Sequence, residues 1–515
     1  MKVIHLAATL ALTLTAGAYA AADKKAPPPA PPPPGVRATT GAGYRRIEVV
    51  PEGRLLGVVA PLTKDGQRRI VLLMAPADGA GPRSVAELLF QGPLEPALHT
   101  LAEKLSPGID AIDAIDLDGD GAQEVVLGEP GHLYWVTDGG ARALDAPGWF
   151  DLLAPWPNKL RVPSELPLLV TAQAGRLRCF APAGSALRQV CDQPLPLTAE
   201  REPRGLFLQT PAVNAILRPQ KAPLIAIGPQ SIDKRRLRTL VIDPQVTHPQ
   251  VVSGPAAPAA TVDVVAASAG SEIPNPFDAW SRLPTPEQVQ DSWYFLLGGK
   301  PVLAVSTVNA DKLGIFEHLK LRVFRLAADR TRVGRGPVLA VETESPRWHD
   351  LALVAGDLNG DGNDDLVLIE PKGMDGKPIL AQAFLGDASG GLRQAGNPSK
   401  LDLEGVLWSY GQDVTGDGRP DLVAAGTDRL QVFAGQVPDR KGPLIETAAI
   451  GIPLAVGEPG QVEVQIGSKG VKSRTERYGW MRPVVADLDG DRRGEILLLA
   501  LDRDGPGVLE VITWR

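Results

Sequence analysis

The stretch "DLDGDGAQEVVLGE", residues 116–129, decides the fold prediction, because an acidic turn with two glycines runs directly into an apolar segment of strand length. Close copies follow as "DLNGDGNDDLVLIE" from Asp357, "DVTGDGRPDLVAAG" from Asp413 and "DLDGDRRGEILLLA" from Asp487. We call the first nine residues of these four segments loops 1 to 4, and we number the positions of each loop from its first aspartate. Apolar segments such as "LALVAG" also precede them, so the sequence predicts that each loop joins two β-strands.

Oxygen-bearing side chains recur at positions 1, 3, 5 and 9 of the loops, and the carbonyl of position 7 can add another oxygen. Calcium is a hard cation that binds six to eight oxygens, whereas carboxylates this close repel one another when no cation is present. The sequence therefore predicts two to four Ca²⁺ ions. The predicted ligands are Asp116, Asp118, Asp120, Ala122 and Glu124 in loop 1; Asp357, Asn359, Asp361, Asn363 and Asp365 in loop 2; Asp413, Thr415, Asp417, Arg419 and Asp421 in loop 3; and Asp487, Asp489, Asp491, Arg493 and Glu495 in loop 4.

The four loops are not expected to be equivalent. Loops 1 and 2 keep both glycines and strong ligands, so we expect them to be the best sites. Thr415 lowers the charge of loop 3. In loop 4, Arg492 replaces the second glycine at a position that is expected to need positive φ. The alternative to a metal in this loop is that the arginine neutralises the carboxylates. Four polar hairpin turns without metal remain the alternative, but EF-hands are excluded because position 12 is apolar in every loop: Leu127, Leu368, Ala424 and Leu498.

The strand–DxDGDGxxD–strand unit resembles the FG-GAP/VCBS repeat, which is found in the propeller of integrin α chains and in many exported bacterial proteins. Residues 126–136 and 384–392 resemble two further parts of that repeat, and the resemblance covers 108–145, 348–395, 405–436 and 478–515. It implies an all-β fold, a β-propeller in which a calcium loop connects the first two strands of a blade. It also implies that "FLGDASGGL" is a turn between outer strands, so that Ser389 is a turn residue and not a protease nucleophile.

The spacing of the loops indicates radial repetition. The interval between loops 1 and 2 is long enough for three degenerate repeats, and the segments 54–62 and 68–76 indicate one more repeat at the N-terminal end. We therefore predict a propeller of seven or eight blades. The strand at 44–50 and the strand that ends the chain are predicted to share a blade, which would close the ring and leave no free edge.

The N-terminal region has three predicted parts. Residues 1–22 have the charged start, short apolar segment and small-residue cleavage site of a secretory signal peptide, with no cysteine for a lipid anchor. Residues 23–43 are predicted to be a disordered proline-rich linker, and 44–515 the propeller, with a long insertion near 246–286. No later segment is long enough to span a membrane. We expect an exported protein, periplasmic or secreted.

Cys179 and Cys191 lie in two predicted strands around a turn, near facing positions. A disulfide between them is predicted because an exported protein matures in an oxidising compartment. A catalytic cysteine is the weaker alternative, since no matching Cys–His arrangement is visible.

Aromatic and basic residues recur just before the first strand of several repeats. One hypothesis is a binding surface on the face opposite the calcium loops, because aromatics and arginine are favoured anchors. The alternative is that these aromatics pack between neighbouring blades. The residues are Arg347, Trp348, His349, Trp408, Tyr410, Arg477, Tyr478 and Trp480.

Composition narrows the class of function. The 515 residues carry a net charge of −7, so there is no basic excess to hold a nucleic acid or an anionic membrane. The motifs HExxH and GxSxG are absent, and so is a phosphate-binding glycine loop. We expect a non-catalytic calcium-binding module whose partner is an envelope or extracellular protein or a polysaccharide. The alternative is a glycosidase or lyase that acts on polysaccharides.

Overall fold

β-strands supply the regular structure of this protein, and no helix occurs among the residues described. The computed structural model describes residues 33–514 apart from 91–94, 130–131, 138–139, 145–159, 162–168, 174–175, 184–185, 195–239, 242–264, 267–286, 298–299, 310–316, 327–332, 347–348, 350, 374–375, 406, 427–428, 439–441, 455–462, 468–469, 475–477, 481 and 503–506. The predicted signal peptide, residues 23–32 of the predicted linker and nearly all of the predicted insertion therefore lie outside the described residues.

The described strands are numbered in chain order. In the first half of the chain they are β1 Gly35–Thr40, β2 Tyr44–Val50, β3 Arg54–Val59, β4 Ile70–Ala75, β5 Arg83–Leu89, β6 Ala97–Leu105, β7 Ala111–Ile115, β8 Glu124–Glu129, β9 His132–Thr137, β10 Gly140–Ala143, β11 Leu160–Arg161, β12 Leu169–Gln173, β13 Arg176–Ala183, β14 Ala186–Pro194, β15 Leu240–Val241 and β16 Val265–Ala266. The second half contains β17 Glu287–Leu297, β18 Lys300–Asn309, β19 His318–Leu326, β20 Val333–Pro346, β21 Ala352–Gly356, β22 Asp365–Pro371, β23 Pro378–Gly386, β24 Leu392–Asp402, β25 Leu407–Gln412, β26 Asp421–Ala425, β27 Arg429–Gly435, β28 Ile445–Pro453, β29 Glu463–Gly467, β30 Gly470–Arg474, β31 Tyr478–Trp480, β32 Val484–Ala486, β33 Glu495–Asp502 and β34 Val508–Trp514.

Consecutive strands pair antiparallel into many small sheets. Four-stranded sheets form from β7–β10, β17–β20, β21–β24 and β25–β28, and β3–β6 form a fifth to which β11 adds in parallel. A three-stranded sheet forms from β12–β14. The prediction of an all-β fold is confirmed, and the strands predicted within 54–62 and 68–76 are present as β3 and β4. That these strands belong to a repeat stays a prediction. The number of blades stays a prediction.

The first and last strands of the protein share one sheet, as predicted. We call it the terminal sheet, and its order is β1–β2–β34–β33, with β31 and β32 both paired to β33. Strand β2 runs antiparallel to β34 from Tyr44 opposite Trp514 to Val49 opposite Leu509. The two ends of the chain are therefore joined by backbone hydrogen bonds.

The prediction that residues 23–43 are disordered is wrong for Gly35–Thr40. This segment forms β1 and pairs with β2 along its whole length. The proline-rich segment ends at Pro34, so the residues of β1 have amide hydrogens to donate, and they include β-branched side chains that favour strands.

The sheets pack face to face in a continuous order. Buried clusters join β17–β20 to β21–β24, that sheet to β25–β28, and β25–β28 to the terminal sheet. The terminal sheet then packs on β3–β6, which packs on β7–β10. A strand between two such contacts is apolar on both faces: in β33, Leu497 and Leu499 face β3–β6, whereas Ile496 and Leu498 face β25–β28. This explains the unbroken apolar run "ILLLAL".

Candidate metal centres

All four acidic loops connect two antiparallel strands, as the sequence predicts. Loop 1 joins β7 to β8, loop 2 joins β21 to β22, loop 3 joins β25 to β26, and loop 4 joins β32 to β33. The helices that an EF-hand requires do not occur among the described residues around these loops.

The loops share one hydrogen-bond pattern centred on the position 1 aspartate. In loop 1, the Gly119 amide donates to Asp116 Oδ1 at 2.7 Å and the Gly121 amide donates to Asp116 Oδ2 at 3.1 Å. The same two bonds occur in the other three loops. The position 5 carboxylate accepts the amide of position 7 in each loop as well. The backbone therefore holds these oxygens on the inside of the turn.

Positions 4 and 6 of the loops require positive φ. In loop 1 these are Gly119 and Gly121, with φ of 79° and 91°. In loop 4, Arg492 stands at position 6 with φ of 74°, one of two non-glycine residues with positive φ among the described residues. The expectation of positive φ at Arg492 is confirmed, and such a conformation is strained for a residue other than glycine.

The structure brings three carboxylates together in loops 1 and 4. One ligand oxygen from each of three residues lies within 4.8 Å of the others in both sites. No third such group occurs among the described residues, and loop 2 has Asn359 in place of the second carboxylate, so the expected ranking of the loops as metal sites stays a prediction. The two trios are Asp116, Asp118 and Glu124, and Asp487, Asp489 and Glu495.

Position 3 accounts for which loops gather three carboxylates, because each trio consists of positions 1, 3 and 9, and position 3 is Asn359 in loop 2 and Thr415 in loop 3. Position 9 differs between the loops as well. In loops 2 and 3 it is an aspartate whose second oxygen turns to the third strand, where the amides of Gly386 and Gly435 donate to Asp365 and Asp421 at 2.8 Å. In loops 1 and 4 it is a glutamate, which is longer by one methylene group. Its Oε2 accepts the position 2 amide, and its carboxylate lies with the other two.

Burial perturbs the carboxyl group at position 9. Desolvation raises the pKa of Glu495 to about 8, although the Leu488 amide opposes this shift. Desolvation likewise raises the pKa of Asp365 to about 6, and it raises the pKa values of Glu124 and Asp421. Neighbouring loop carboxylates add to the rise in Glu495 and Glu124. The charged form of these groups is thus disfavoured until a positive charge stands beside them.

The donor set of loops 1 and 4 fits a divalent cation that prefers oxygen. Each offers three carboxylates held by backbone amides, with no nitrogen or sulfur ligand in the trio. Such hard oxygen donors suit calcium better than zinc or copper. Loops 2 and 3 offer an amide or a hydroxyl oxygen at position 3 and so carry less charge.

The arginines of loop 4 do not neutralise its carboxylates. The Arg493 guanidinium lies 4.3 Å from the centre of the Trp514 ring, and its Nε donates to the Val414 carbonyl of loop 3 at 2.8 Å. Among the described residues, Arg492 forms no ion pair with the trio. Loop 3 differs in having an ion pair of its own, because Nη1 of Arg419 lies 3.5 Å from Oδ2 of Asp417 in the same loop.

A divergent fifth loop, which the sequence analysis missed, connects β3 to β4. Its Gly66 has φ of 82° and corresponds to position 6, which places Lys64 at position 4, Asp65 at position 5 and Arg69 at position 9. The signal available in the sequence was the Asp-Gly pair just before the strand "IVLLMA". With basic residues at positions 4, 8 and 9, this loop lacks the ligands for a cation.

Adjacent loops are linked by a repeated backbone hydrogen bond from position 8. The Gln123 amide of loop 1 donates to Leu62 O of the divergent loop, and the Arg68 amide of the divergent loop donates to Leu488 O of loop 4, both at 2.8 Å. The Gly494 amide of loop 4 donates to Asp413 O of loop 3 at 2.6 Å. Loop 3 has Pro420 at this position, which has no amide hydrogen to donate. Loops 3 and 4, the divergent loop and loop 1 therefore form a continuous series.

The hypothesis of an aromatic binding surface is wrong for Trp408 and Tyr410. They are only 6% and 8% exposed and belong to the core between β21–β24 and β25–β28, which is the packing that the alternative predicted. His349 is half-buried, with Nε2 3.0 Å from Gly373 O. Arg347, Trp348 and Arg477, and the side chains of Tyr478 and Trp480, lie outside the described residues.

Cys179 and Cys191 are directly opposite each other in the antiparallel pair β13–β14, which confirms that they occupy facing positions. Opposed residues of antiparallel strands have the Cα separation that a disulfide needs. The side chains lie outside the described residues and no disulfide is found, so the bond stays a prediction.

Comparison with known proteins finds no family model that matches this chain and no similar curated protein. In the described part of the chain, no helix has the length and apolar character needed to cross a membrane.

Proposed function

We propose that this protein is an exported β-propeller of the FG-GAP/VCBS type, stabilised by calcium, that serves as a non-catalytic binding module for an envelope or extracellular protein or for a polysaccharide. The observation that carries the calcium part is the pair of carboxylate trios in loops 1 and 4, held by the same backbone hydrogen bonds at the same place in the strand order. The stacked order of the sheets supports the propeller, with seven or eight blades.

Calcium would act on the structure and not on a substrate. In loop 4 it would be held by Asp487, Asp489 and Glu495, with Asp491 as a further donor. The ion supplies the positive charge that offsets carboxylate repulsion and the desolvation of Glu495. Because loop 4 contacts loop 3 and the divergent loop, a cation there would also hold three neighbouring sheets in register.

The calcium proposal is tested on the mature chain, residues 23–515. Thermal unfolding is followed with calcium and with excess chelator, and bound calcium is counted by titration calorimetry. We expect a higher melting temperature with calcium and two to four ions bound. Asp116→Asn and Asp487→Asn should each remove one ion. Asp110→Asn is the matched control, because it removes the same charge from an exposed aspartate outside the loops. Equal stability in both conditions, with no calcium bound, would contradict the proposal.

The binding function rests on the secretory signal at residues 1–22 and on the absence of the catalytic motifs named above. It is tested by screening the mature protein, in calcium, against a polysaccharide array and by cross-linking on intact cells. Retention of one polysaccharide or one envelope protein without turnover would support the module. Release of new reducing ends or unsaturated products would favour the alternative, an enzyme that acts on polysaccharides.

A further inference from the structure

Lys64 of the divergent loop reaches across to loop 1. Its Nζ lies 2.5 Å from Asp120 Oδ2, and the lysine side chain is 67% exposed whereas the aspartate is 30% exposed. Asp120 is the position 5 carboxylate that the sequence assigns to the metal. The trio gathered in loop 1 consists of the other three carboxylates, without Asp120. An ammonium group thus stands beside loop 1 and engages one of its expected ligands.

Loop 4 provides an internal comparison. It has the same acidic residue types at positions 1, 3, 5 and 9, and its trio has the same spacing. The divergent loop contacts loop 4 as well, through the Arg68 amide, which donates to Leu488 O. Arg493 of loop 4 is engaged with Trp514 and Val414. Loop 1 therefore has a cationic side chain from the neighbouring loop on its position 5 carboxylate, whereas the cations near loop 4 are its own Arg492 and Arg493.

The position of Lys64 follows from the repeat itself. It occupies position 4 of its own loop, where loops 1 to 4 have glycine. Two hydrogen bonds between Leu62 and Gln123 hold the two loops side by side. The Leu62 amide donates to the side-chain Oε1 of Gln123 at 2.9 Å, and Leu62 O accepts the Gln123 backbone amide at 2.8 Å. A long cationic side chain at this position is therefore directed to the neighbouring site in loop 1.

We propose that Lys64 is a built-in competitor for the metal site of loop 1 and lowers the calcium affinity of that site. This inference rests on the proposed calcium function and deepens it. A calcium ion entering loop 1 must separate Lys64 from Asp120 and then stand near an ammonium of like sign. At an exposed position these two effects are each modest, and together we expect about a three- to tenfold loss of affinity.

The test is a calcium titration of the full mature chain at low ionic strength. The site lost in Asp116→Asn identifies loop 1, and the site lost in Asp487→Asn identifies loop 4. Lys64→Gln should tighten the loop 1 site by about three- to tenfold and change the loop 4 site by less than about twofold. Lys64→Arg keeps the charge and should retain the original affinity, and Lys64→Glu should tighten loop 1 further.

Lys320→Gln is the matched control. Lys320 lies on β19, away from the acidic loops, and its Nζ is 3.3 Å from an oxygen of Glu342, so the same charge change is made in another ion pair. We expect no change in either site. If loop 1 binds calcium and Lys64→Gln leaves its affinity unchanged or weakens it, this inference is overturned while the calcium function stands. If no variant binds calcium, or if Asp116→Asn and Asp487→Asn remove no site, the proposed function itself fails.

Discussion

The substitution Ile47→Ala tests whether strand β2 stabilises its partner β34 in the terminal sheet. Ile47 is fully buried on β2, stands opposite Val511 of β34, and belongs to the core between the terminal sheet and β3–β6. Alanine removes three carbon atoms, which is about 2.4 kcal/mol of transfer free energy, and the cavity left behind raises the cost toward about 3 kcal/mol.

Ile450→Ala is the control for this measurement. Ile450 lies on β28 and is 51% exposed. Both substitutions lose a β-branched residue from a strand, so they share the loss of strand propensity, about 1 kcal/mol at most. The difference between the two variants therefore isolates the burial of Ile47 and should be about 2–3 kcal/mol.

Hydrogen exchange read by mass spectrometry measures this difference locally, without assuming two-state unfolding of the whole chain. The peptide that contains Val508–Trp514 should exchange about 30 to 150 times faster in Ile47→Ala than in the Ile450→Ala control, since 1.4 kcal/mol corresponds to a factor of ten. Equal exchange of this peptide in the two variants would show that β2 does not protect β34, and the pairing of the chain ends would have to be abandoned.

Three further outcomes are expected. Arg492→Gly should stabilise the cation-free protein by up to about 1 kcal/mol, because glycine adopts φ of 74° without strain. Arg493→Gly should instead destabilise the cation-free protein, because the contact with the Trp514 ring is lost. Urea unfolding in the presence of chelator compares the two variants. Trp408→Ala should cost about 3–5 kcal/mol in the same assay, since the ring is buried, and a cost near zero would restore Trp408 as a surface residue. The mature protein isolated under oxidising conditions should resist alkylation at Cys179 and Cys191 until it is reduced, and reduction should cost about 3 kcal/mol in the chain-entropy account; ready alkylation before reduction would rule out the bond.

Local pattern was enough to predict the strand–loop–strand units, the exclusion of EF-hands, the positive φ at Arg492 and the shared sheet of the chain ends. Each of these depends on residues close together in the chain or on the rule that sheet edges are covered. Which loops gather three carboxylates also follows from the sequence, because position 3 is an aspartate only in loops 1 and 4. The second hydrogen bond of the position 9 aspartate was not predictable in this way, since Asp365 accepts the Gly386 amide of the third strand.

Other features depend on which sheets become neighbours. The local sequence around a tryptophan near the start of a strand does not show whether its side chain faces solvent or the neighbouring sheet. The burial of Trp408 was therefore known only from the structure. The contact from Lys64 to Asp120 joins two loops from different sheets, and nothing in either segment indicates it. The strand at Gly35–Thr40 was missed because the prolines before it dominate the local composition.

The pairing of β2 with β34 has a consequence for how the protein is made. Strand β2 leaves the ribosome long before its partner β34, since the paired residues Val49 and Leu509 are about 460 residues apart in the chain. At about 5–20 residues per second, the apolar side chains of β2 wait about 25 to 90 s before β34 exists. During that interval the segment presents an unpaired strand, and its pairing with β34 has a very high contact order. Any factor that shields β2 on the nascent chain would then act on this late pairing step.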